Sequence, residues 1–336
     1  MVILVDAMGG DNAPLQIVNG CLDAIEEAEG FEILIIGDKN RITEIVKKRR
    51  LDSSRIKIEH APETINGDDI PTKSIRNKKD SSMVVGLNLL KDKKGDAFIS
   101  AGNSGALMAG ALFTLGRTRG VDRPAFGTTI PTKTGTTFLI DAGLNITCKP
   151  INYLQFGVMG SIYMQQCYNM DKPKVGLLNI GTEENKGISV VQQAYELLTK
   201  APINFIGNIE GRQIPLGEVD VVVCDGFVGN ILLKFLEGMG YFIKSTLKEM
   251  YTKNVFTKAS TLLFKKDLKN IAKRMDYEEY GGTPLLGVNG LVIKCHGSSS
   301  AKAIKNTIIK SSYFVKNSIM NQISDILGNK EAESID

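Results

Sequence analysis

The sequence has no tryptophan, only two histidines, His60 and His296, and five cysteines that never stand in a Cys-x-x-Cys pair. Two separated histidines exclude a histidine-rich metal centre, and five scattered cysteines do not suggest a framework of disulfide bonds. The longest apolar run, from Ala106 to Leu115, contains a glycine and a threonine and is far shorter than a membrane-spanning helix. We therefore expect reduced thiols, no bound metal and no other cofactor.

The charge is almost balanced, because 41 basic residues face 37 acidic ones and give a formal net charge of +4. A balance this close to neutral does not indicate nucleic-acid binding. The sequence begins with a strand-like run, Val2 to Val5, instead of the basic and then apolar segments of a secretory signal. We expect a cytoplasmic protein that binds no nucleic acid, and its 336 residues favour two domains.

Five times along the chain, a short apolar or β-branched run ends in a glycine-rich polar turn that leads into a helix-like segment. The turns are residues 6–11, 101–105, 179–187, 225–230 and 295–300. Ligands of parallel α/β sheets bind at the carboxyl ends of strands, and free N–H groups at helix N-termini bind oxyanions. Neither a Walker A loop nor a Gly-x-Gly-x-x-Gly dinucleotide motif is present. Together the turns predict a protein that binds an anion.

Strand and helix patterns alternate along the first hundred residues. Strands are predicted at 2–6, 31–36, 56–58 and 96–100, and helices at 14–28, 40–50 and 81–90, with a polar surface loop over 60–80. The later part contains a hairpin at 125–131 and 136–141, strands at 174–180, 203–207, 219–224 and 291–295, and one long helix after Ser300 whose apolar face runs from Ile304 to Ile323. This alternation predicts an α/β fold with a doubly wound, mostly parallel sheet and a domain boundary near 116–124.

Each polar residue of these turns has a structural interpretation beside a functional one. Asn103 and Ser104 can cap the following helix or bind an oxyanion. Lys186 can be a solvated surface cation, or a point charge on phosphate or on a developing oxyanion. The polar residues of the turn 225–230 can serve local hydrogen bonding alone. His296 can be a structural imidazole or a general acid or base.

Taken in order, the segments 6–11, 100–107, 175–181, 204–212, 220–230, 281–288 and 296–299 resemble one family, the bacterial phosphate acyltransferases of phospholipid synthesis. The resemblance extends from residue 2 to about residue 300. Two small departures occur: Ser104 replaces the usual threonine, and residues 141–145 read Asp-Ala-Gly-Leu-Asn where Val-Gly-Ala-Asn is expected after the aspartate.

The resemblance implies a reaction and an architecture. Members transfer a long-chain fatty acyl group from the thioester of acyl carrier protein to inorganic phosphate, and a membrane-embedded glycerol-3-phosphate acyltransferase takes up the acyl phosphate. The implied fold is two-lobed α/β, shared with phosphotransacetylases and isocitrate dehydrogenases, with the site in the cleft. One lobe would contain residues 1–115 and 285–336, and the other residues 116–284. A homodimer is also implied.

This chemistry needs no serine or cysteine nucleophile, because phosphate itself attacks the thioester. The enzyme has to orient the phosphate dianion and stabilise a tetrahedral oxyanion. The catalytic candidates that the resemblance suggests are Lys186, Asn230 and His296. The candidates for phosphate and substrate binding are Asp6, Gly9, Gly10, Asn103, Ser104, Asn179, Asp225, Gly229 and Ser298.

The segment from 253 to 275 combines a basic face with an apolar one at helical spacing. Its apolar residues include Leu262, Leu263, Phe264, Leu268 and Ile271, and six lysines and arginines from Lys258 to Arg274 surround them. A basic amphipathic helix can lie in a membrane interface, where anionic lipid attracts it. It can also pack its apolar face on the protein or on a dimer partner. A hydrophobic acyl product favours peripheral membrane contact.

Three other functions compete with this one. A phosphate acetyl- or butyryltransferase of the same fold would use acyl coenzyme A as the donor. A protein without catalytic activity could bind acyl phosphate or acyl carrier protein at membranes. A dinucleotide-dependent dehydrogenase is disfavoured, because the glycines and the ribose-binding acid are not arranged as that fold requires.

Overall fold

The computed structural model describes residues 1–49, 54–253, 279, 281–317 and 319–333. Over these residues the chain forms one eleven-stranded sheet in the order β3-β2-β1-β4-β11-β10-β5-β6-β9-β7-β8. The strands are β1 Val2–Asp6, β2 Glu32–Gly37, β3 Ile56–His60, β4 Ala97–Ser100, β5 Ala125–Pro131, β6 Thr136–Ile140, β7 Lys174–Leu178, β8 Asn204–Ile209, β9 Val221–Val223, β10 Thr283–Leu286 and β11 Leu291–Lys294.

Helices cover both faces of this sheet. They are α1 Leu15–Glu27, α2 Lys39–Arg49, α3 Pro71–Asn77, α4 Ser82–Lys91, α5 Ser104–Thr114, α6 Pro150–Tyr168, α7 Ser189–Thr199, α8 Gly226–Thr252, α9 Ala301–Lys316 and α10 Ile319–Glu333. Four of them begin after a side chain that accepts a hydrogen bond from a backbone N–H of the first turn, at Ser81, Asn103, Asp225 and Ser300. Three of these caps, Asn103, Asp225 and Ser300, lie in the predicted anion-binding turns.

The alternation of side chains along the strands separates two hydrophobic cores. Ile3 and Val5 of β1 pack with α1, α6, α7, α9 and α10, whereas Leu4 packs on the opposite face with α3, α4 and α5. Leu233 and Leu236 of α8 pack against this second core. The long helix α8 therefore lies on the same face of the sheet as α5.

The two parallel parts of the sheet run in opposite directions. β3, β2, β1, β4 and β11 are parallel to one another, as are β6, β9, β7 and β8. Three antiparallel pairings, β11 with β10, β10 with β5 and β5 with β6, separate the two sets. The turns after β1, β4 and β11 therefore lie at one end of the sheet, and those after β6, β9 and β7 lie at the other.

The predicted α/β class with a large, mostly parallel sheet is confirmed, but two local predictions are wrong. The predicted loop over 60–80 contains α3, which begins with Pro71, and Glu63 forms a β-bridge with Ser81. The predicted single C-terminal helix is two helices, α9 and α10. Between them the side chain of Asn317 donates to the backbone carbonyl of Gln166 at 2.7 Å, which ties the junction to α6.

The division into two lobes stays a prediction. β1 to β4 and β11 come from the first predicted lobe, β5 to β9 come from the second, and β10 crosses the proposed boundary at residue 285. In the described part of the chain, no helix has both the length and the apolar character needed to cross a bilayer.

Candidate active site

Asp6 joins the turns that follow β1 and β4. Its carboxylate accepts hydrogen bonds from the Ser100 hydroxyl at 2.6 Å and from the Met8 backbone N–H at 3.0 Å. The Ser100 hydroxyl oxygen in turn accepts from the N–H of Gly102 at 3.0 Å. Asp6 is buried, and burial raises the pKa of its carboxyl group. Asp6 therefore stabilises the turns from within and does not face solvent.

The first group of turns packs so closely that two glycines are required. A Cβ atom on Gly9 would lie 2.6 Å from the backbone nitrogen of Gly102. Gly10 has a φ of +99°, and a Cβ there would lie 2.8 Å from the carbonyl oxygen of Gly297. The N–H of Asp11 donates to that same oxygen at 2.8 Å. The turns after β1, β4 and β11 thus form one packed unit.

Both polar atoms of the Asn103 side chain form hydrogen bonds with backbone groups. Its side-chain oxygen accepts from the N–H of Ala106 at 3.0 Å and caps α5. Its amide nitrogen donates to the carbonyls of Gly67 at 3.0 Å and Asp69 at 3.1 Å, which fixes the loop before α3. The neighbouring Ser104 is exposed, so the ligand-binding interpretation of this turn depends on Ser104.

His296 and Ser298 follow β11 and hydrogen-bond each other. The Nδ1 atom of His296 lies 2.8 Å from the Ser298 hydroxyl oxygen, and the backbone N–H of Ser298 donates to Nδ1 at 3.3 Å. An accepting Nδ1 places the ring N–H on Nε2. The side chain of Asn12 donates to the Ser298 carbonyl at 3.2 Å, which joins this turn to the β1 turn.

Asp141 organises the second group of turns. One carboxylate oxygen accepts from the N–H groups of Phe126, Gly143 and Leu144 at 3.0 to 3.3 Å. The other oxygen accepts from the backbone and the side-chain nitrogen of Asn145, at 2.6 and 2.8 Å. Asp141 is fully buried, and burial raises its pKa despite these five donors.

The start of α8 is fitted against this loop. Asp225 caps the helix by accepting from the N–H of Val228 at 2.8 Å, and its second oxygen accepts from the Tyr153 hydroxyl at 3.1 Å. A Cβ on Gly229 would lie 1.9 Å from the carbonyl oxygen of Asp141. The glycine allows the first turn of α8 to touch the end of β6, and the role of Asp225 in this structure is that of a helix cap.

Lys186 lies in an ordered turn after β7. Asn179 donates from its side chain to the Lys186 carbonyl at 3.0 Å, and its side-chain oxygen accepts from the Ile180 N–H at 2.8 Å. The ammonium group of Lys186 lies 3.8 Å from the carboxylate of Glu183, and 44% of the lysine side chain is exposed. This turn and the His296 turn lie at opposite ends of the sheet.

A cavity of about 1050 Å³ lies between α8 and the sheet and receives residues from both groups of turns. Three predicted site residues line it: Ser104, Asn230 and His296. The predicted residues Asp6, Gly9, Gly10, Asn103, Asn179, Lys186, Asp225, Gly229 and Ser298 do not line it. The walls that α8 and β5 provide are largely apolar and include Phe126, Ile130, Leu233, Leu236, Met239, Ile243 and Leu247.

Sequence analysis missed several polar residues of this cavity, and Lys294 is the one that lies two residues before His296 in the chain. Lys294 is the last residue of β11, directly before the predicted turn, and it lines the cavity beside His296. Burial lowers its pKa. The sequence feature that could have identified it is the lysine at the end of the otherwise apolar strand Leu-Val-Ile-Lys. Lys294 was missed because the predicted turn began one residue later, at Cys295.

Two predictions concern metals and membranes. In the described ranges, no group of three or more histidine, cysteine, aspartate or glutamate side chains could hold a metal ion. The predicted membrane-contact residues Leu262, Leu263, Phe264, Leu268 and Ile271 lie outside the described residues.

Comparison with known proteins gives the family. The family model described as "Fatty acid synthesis protein" matches residues 1–322. The chain belongs to this family. It is 59% identical over 336 residues to a phosphate acyltransferase of Acetivibrio thermocellus, which covers 100% of this chain and 99% of the relative. It is 51% identical over 325 residues to that of Thermoanaerobacter pseudethanolicus, with 97% of each chain covered. The predicted family and the predicted enzyme class are confirmed: the protein is an acyltransferase.

Solved structures support the same fold. The EutD phosphotransacetylase from Staphylococcus aureus matches with a TM-score of 0.60 and 17% identity over 94% of each chain. A phosphotransacetylase from Streptococcus pyogenes matches with a TM-score of 0.62 and 16% identity over 94% of each chain. At these identities the likeness shows the fold alone, and the fold agrees with the predicted architecture class.

Proposed function

We propose that this acyltransferase moves a long-chain fatty acyl group from the thioester of acyl carrier protein to inorganic phosphate and so supplies acyl phosphate for phospholipid synthesis. A phosphate oxygen attacks the thioester carbonyl carbon, and a tetrahedral oxyanion forms. The carbon–sulfur bond then breaks, and the carrier thiolate leaves and takes up a proton. The observation that carries the proposal is one cavity that combines polar turn residues with a long apolar wall.

The apolar wall suits a long acyl chain better than an acetyl group. Cavity residues on α8 run from Asn230 to Tyr251, a distance of about 30 Å at 1.5 Å per helical residue. Phe126 and Ile130 of β5 face the same space. Burying methylene groups along such a wall contributes about 0.8 kcal/mol for each CH₂, which favours long-chain donors.

The polar residues suit the reacting groups. Ser104, Asn230 and His296 bring hydrogen-bonding side chains from three separate elements to the cavity. Since phosphate is the nucleophile, catalysis requires orientation of the two substrates and stabilisation of the oxyanion. The Nε2–H of His296 and the side-chain amide of Asn230 are the donors that we propose for the oxyanion.

Charge on α8 favours a carrier protein as the donor. Lys234, Lys244 and Lys248 line the cavity and are exposed, and the nearby Glu237 is paired with Lys234 at 2.8 Å. An exposed lysine row attracts an acidic partner surface. We propose that acyl carrier protein approaches along α8 and inserts its acyl arm between that helix and β5.

The donor assay tests this function. Thiol release is measured with phosphate present and absent, with long-chain acyl carrier protein and with the matching acyl coenzyme A. We expect phosphate-dependent release from the carrier protein. Release from coenzyme A alone would identify a soluble phosphate acyltransferase of the alternative kind, and release from neither donor would refute the proposal.

We retain a proposed catalytic role for Lys186, because its turn follows β7, the parallel neighbour of β9, and so lies at the same end of the sheet as the turn that carries Asn230. Replacing Lys186 with alanine should abolish turnover without changing the melting temperature, because a cation near the phosphate or oxyanion is lost. Steady-state kinetics and thermal unfolding measure the two quantities. Lys174→Ala, at an exposed strand end, is the control. A normal kcat for Lys186→Ala would identify Lys186 as a surface cation paired with Glu183.

We also propose that the basic segment from 253 to 275 contacts the membrane, where the membrane-embedded glycerol-3-phosphate acyltransferase would take up the product. Leu268→Glu should reduce flotation with anionic liposomes about tenfold, because a carboxylate on the apolar face opposes insertion. Leu216→Glu, at a residue 48% exposed on the described surface, should not. Equal flotation of Leu268→Glu and the unmodified protein would disprove membrane contact through this face.

A homodimer is part of the same proposal. Exposed apolar residues on α8 support it, since Phe227, Ile231 and Phe235 repeat every four residues and are 55% to 63% exposed. A continuous apolar stripe of this kind is typical of an interaction surface. Analytical ultracentrifugation measures the assembly state directly.

A further inference from the structure

Lys294 extends from the sheet toward the cavity. Alternate residues of a strand face opposite sides, and Ile293 packs into the core formed with α1 and α9, whereas Val292 packs into the core formed with α4 and α5. Lys294 follows the direction of Val292 and lines the cavity. In the neighbouring strands it is aligned with Ser100 and Thr283.

Among the described residues, no carboxylate lies within ion-pair distance of the Lys294 ammonium group. It donates to the backbone carbonyl of Cys295, and within the described part of the chain no aspartate or glutamate forms an ion pair with it. Cys295, Asp11 and Asp6 favour its charged form, and Lys234 opposes it. Burial outweighs the favourable groups, so the pKa of Lys294 is lowered. A desolvated cation without a counter-ion is stabilised by an anionic ligand.

The surroundings of Lys294 add donors suited to an anion. His296, Gly297 and Ser299 line the same cavity. They immediately precede α9, whose first N–H groups lie at the positive end of the helix dipole. Ser300 caps this helix through Ala303. The partly buried lysine therefore lies next to a helix N-terminus and opens into the cavity that contains the proposed reaction site.

We propose that Lys294 binds the phosphate group of the acceptor substrate and of the acyl phosphate product. This inference rests on the proposed function, in which inorganic phosphate is the acceptor. On binding, a phosphate oxygen accepts a hydrogen bond from the lysine ammonium and supplies the missing negative charge. Lys294 is thus the cation of the acceptor site, and the apolar wall of α8 and β5 holds the acyl chain.

The test measures binding of inorganic phosphate to the full-length protein by isothermal titration calorimetry, without any acyl donor. Lys294→Met should weaken binding about 30-fold, because a charged hydrogen bond is lost. Lys294→Arg should bind within about fivefold of the unmodified protein, because it keeps the charge. Lys57→Met is the matched control: Lys57 lies in β3, is exposed and pairs with Glu32 at 2.7 Å.

The pH dependence provides a second measurement. Lys294 loses its proton at a lower pH than an ordinary lysine, whereas an arginine in its place stays charged. Phosphate affinity of the unmodified protein should therefore fall relative to that of Lys294→Arg as pH rises toward the ordinary lysine pKa of 10.5. The comparison remains valid if Lys294→Met does not fold.

Four results would test the proposal. Phosphate binding by a folded Lys294→Met within twofold of the unmodified protein would overturn the proposal, as would identical pH profiles for lysine and arginine at this position. In kinetics, the methionine variant should raise KM for phosphate more than it lowers kcat. If phosphate binding depends on Lys294 but no acyl transfer is found, the lysine site is supported. The proposed acyl transfer reaction is then refuted on its own.

Discussion

Replacing Thr128 with phenylalanine should lower kcat/KM for a long-chain acyl donor by about 100-fold. Thr128 lies in β5 between Phe126 and Ile130, and all three side chains face α8 across the cavity. A phenylalanine there would fill space that the acyl chain occupies, and β5 cannot retreat without disturbing the packed core behind it. A short acyl donor, whose chain does not extend along α8, should be affected less than about threefold.

The measurement is thiol release over a series of acyl chain lengths on one carrier protein. Thr199→Phe, on the exposed end of α7, adds the same ring at a distant surface and should leave every donor unchanged. An equal loss for short and long chains would mean that Thr128 acts on folding or on phosphate. No loss at all would contradict the assignment of the cavity to the acyl chain.

Replacing Asp141 with alanine should reduce the free energy of unfolding by more than about 3 kcal/mol. The carboxylate accepts five hydrogen bonds, from Phe126, Gly143, Leu144 and both nitrogens of Asn145. Removing it leaves buried N–H groups without an acceptor, and each such group costs about 1 to 3 kcal/mol. Urea unfolding followed by circular dichroism measures the change.

Asp225→Ala is the matched control for this prediction. Asp225 accepts from Val228 and Tyr153 at the partly exposed start of α8, so its loss should cost only about 1 kcal/mol, as for other helix caps. Equal effects of the two substitutions would contradict the role of Asp141 as the organiser of the second group of turns.

The pKa of Asp141 adds a pH dependence of defined sign. Because burial raises the folded-state pKa above the ordinary aspartate value of 3.8, the folded protein binds this proton more readily than the unfolded chain. Asp141 therefore contributes fully to the free energy of unfolding below its ordinary pKa. This contribution is lost as pH rises through its raised pKa in the folded protein. The unmodified protein should show that loss, and Asp141→Asn should not.

Much of the fold could be predicted because it depends on local patterns. Each of the five glycine-rich turns follows a strand, as predicted, since apolar runs and turn residues act over a few positions. The direction of the strands could not be predicted in this way. The antiparallel pairing of β10 with β5 and β11 joins residues far apart in sequence, and this pairing sends the two groups of turns to opposite ends of the sheet.

Helix α6 was missed for a different reason. Its residues from Asn152 to Met164 are all buried, so the sequence has no polar face and no amphipathic period. In the site, Asn103 and Asp225 carry the residue types of anion ligands, but they cap helices. Lys294 carries the more informative feature, a lysine at the end of a buried strand, and only the strand pairing reveals that it faces the cavity.

The central claim is that phosphate receives the acyl group from a carrier protein. The most direct measurement incubates the enzyme with long-chain acyl carrier protein and ¹⁸O-labelled phosphate, and follows both free carrier thiol and labelled acyl phosphate by mass spectrometry. The account predicts one labelled acyl phosphate for each thiol released. Thiol release with free fatty acid and no labelled acyl phosphate would contradict it, because water would then be the acceptor.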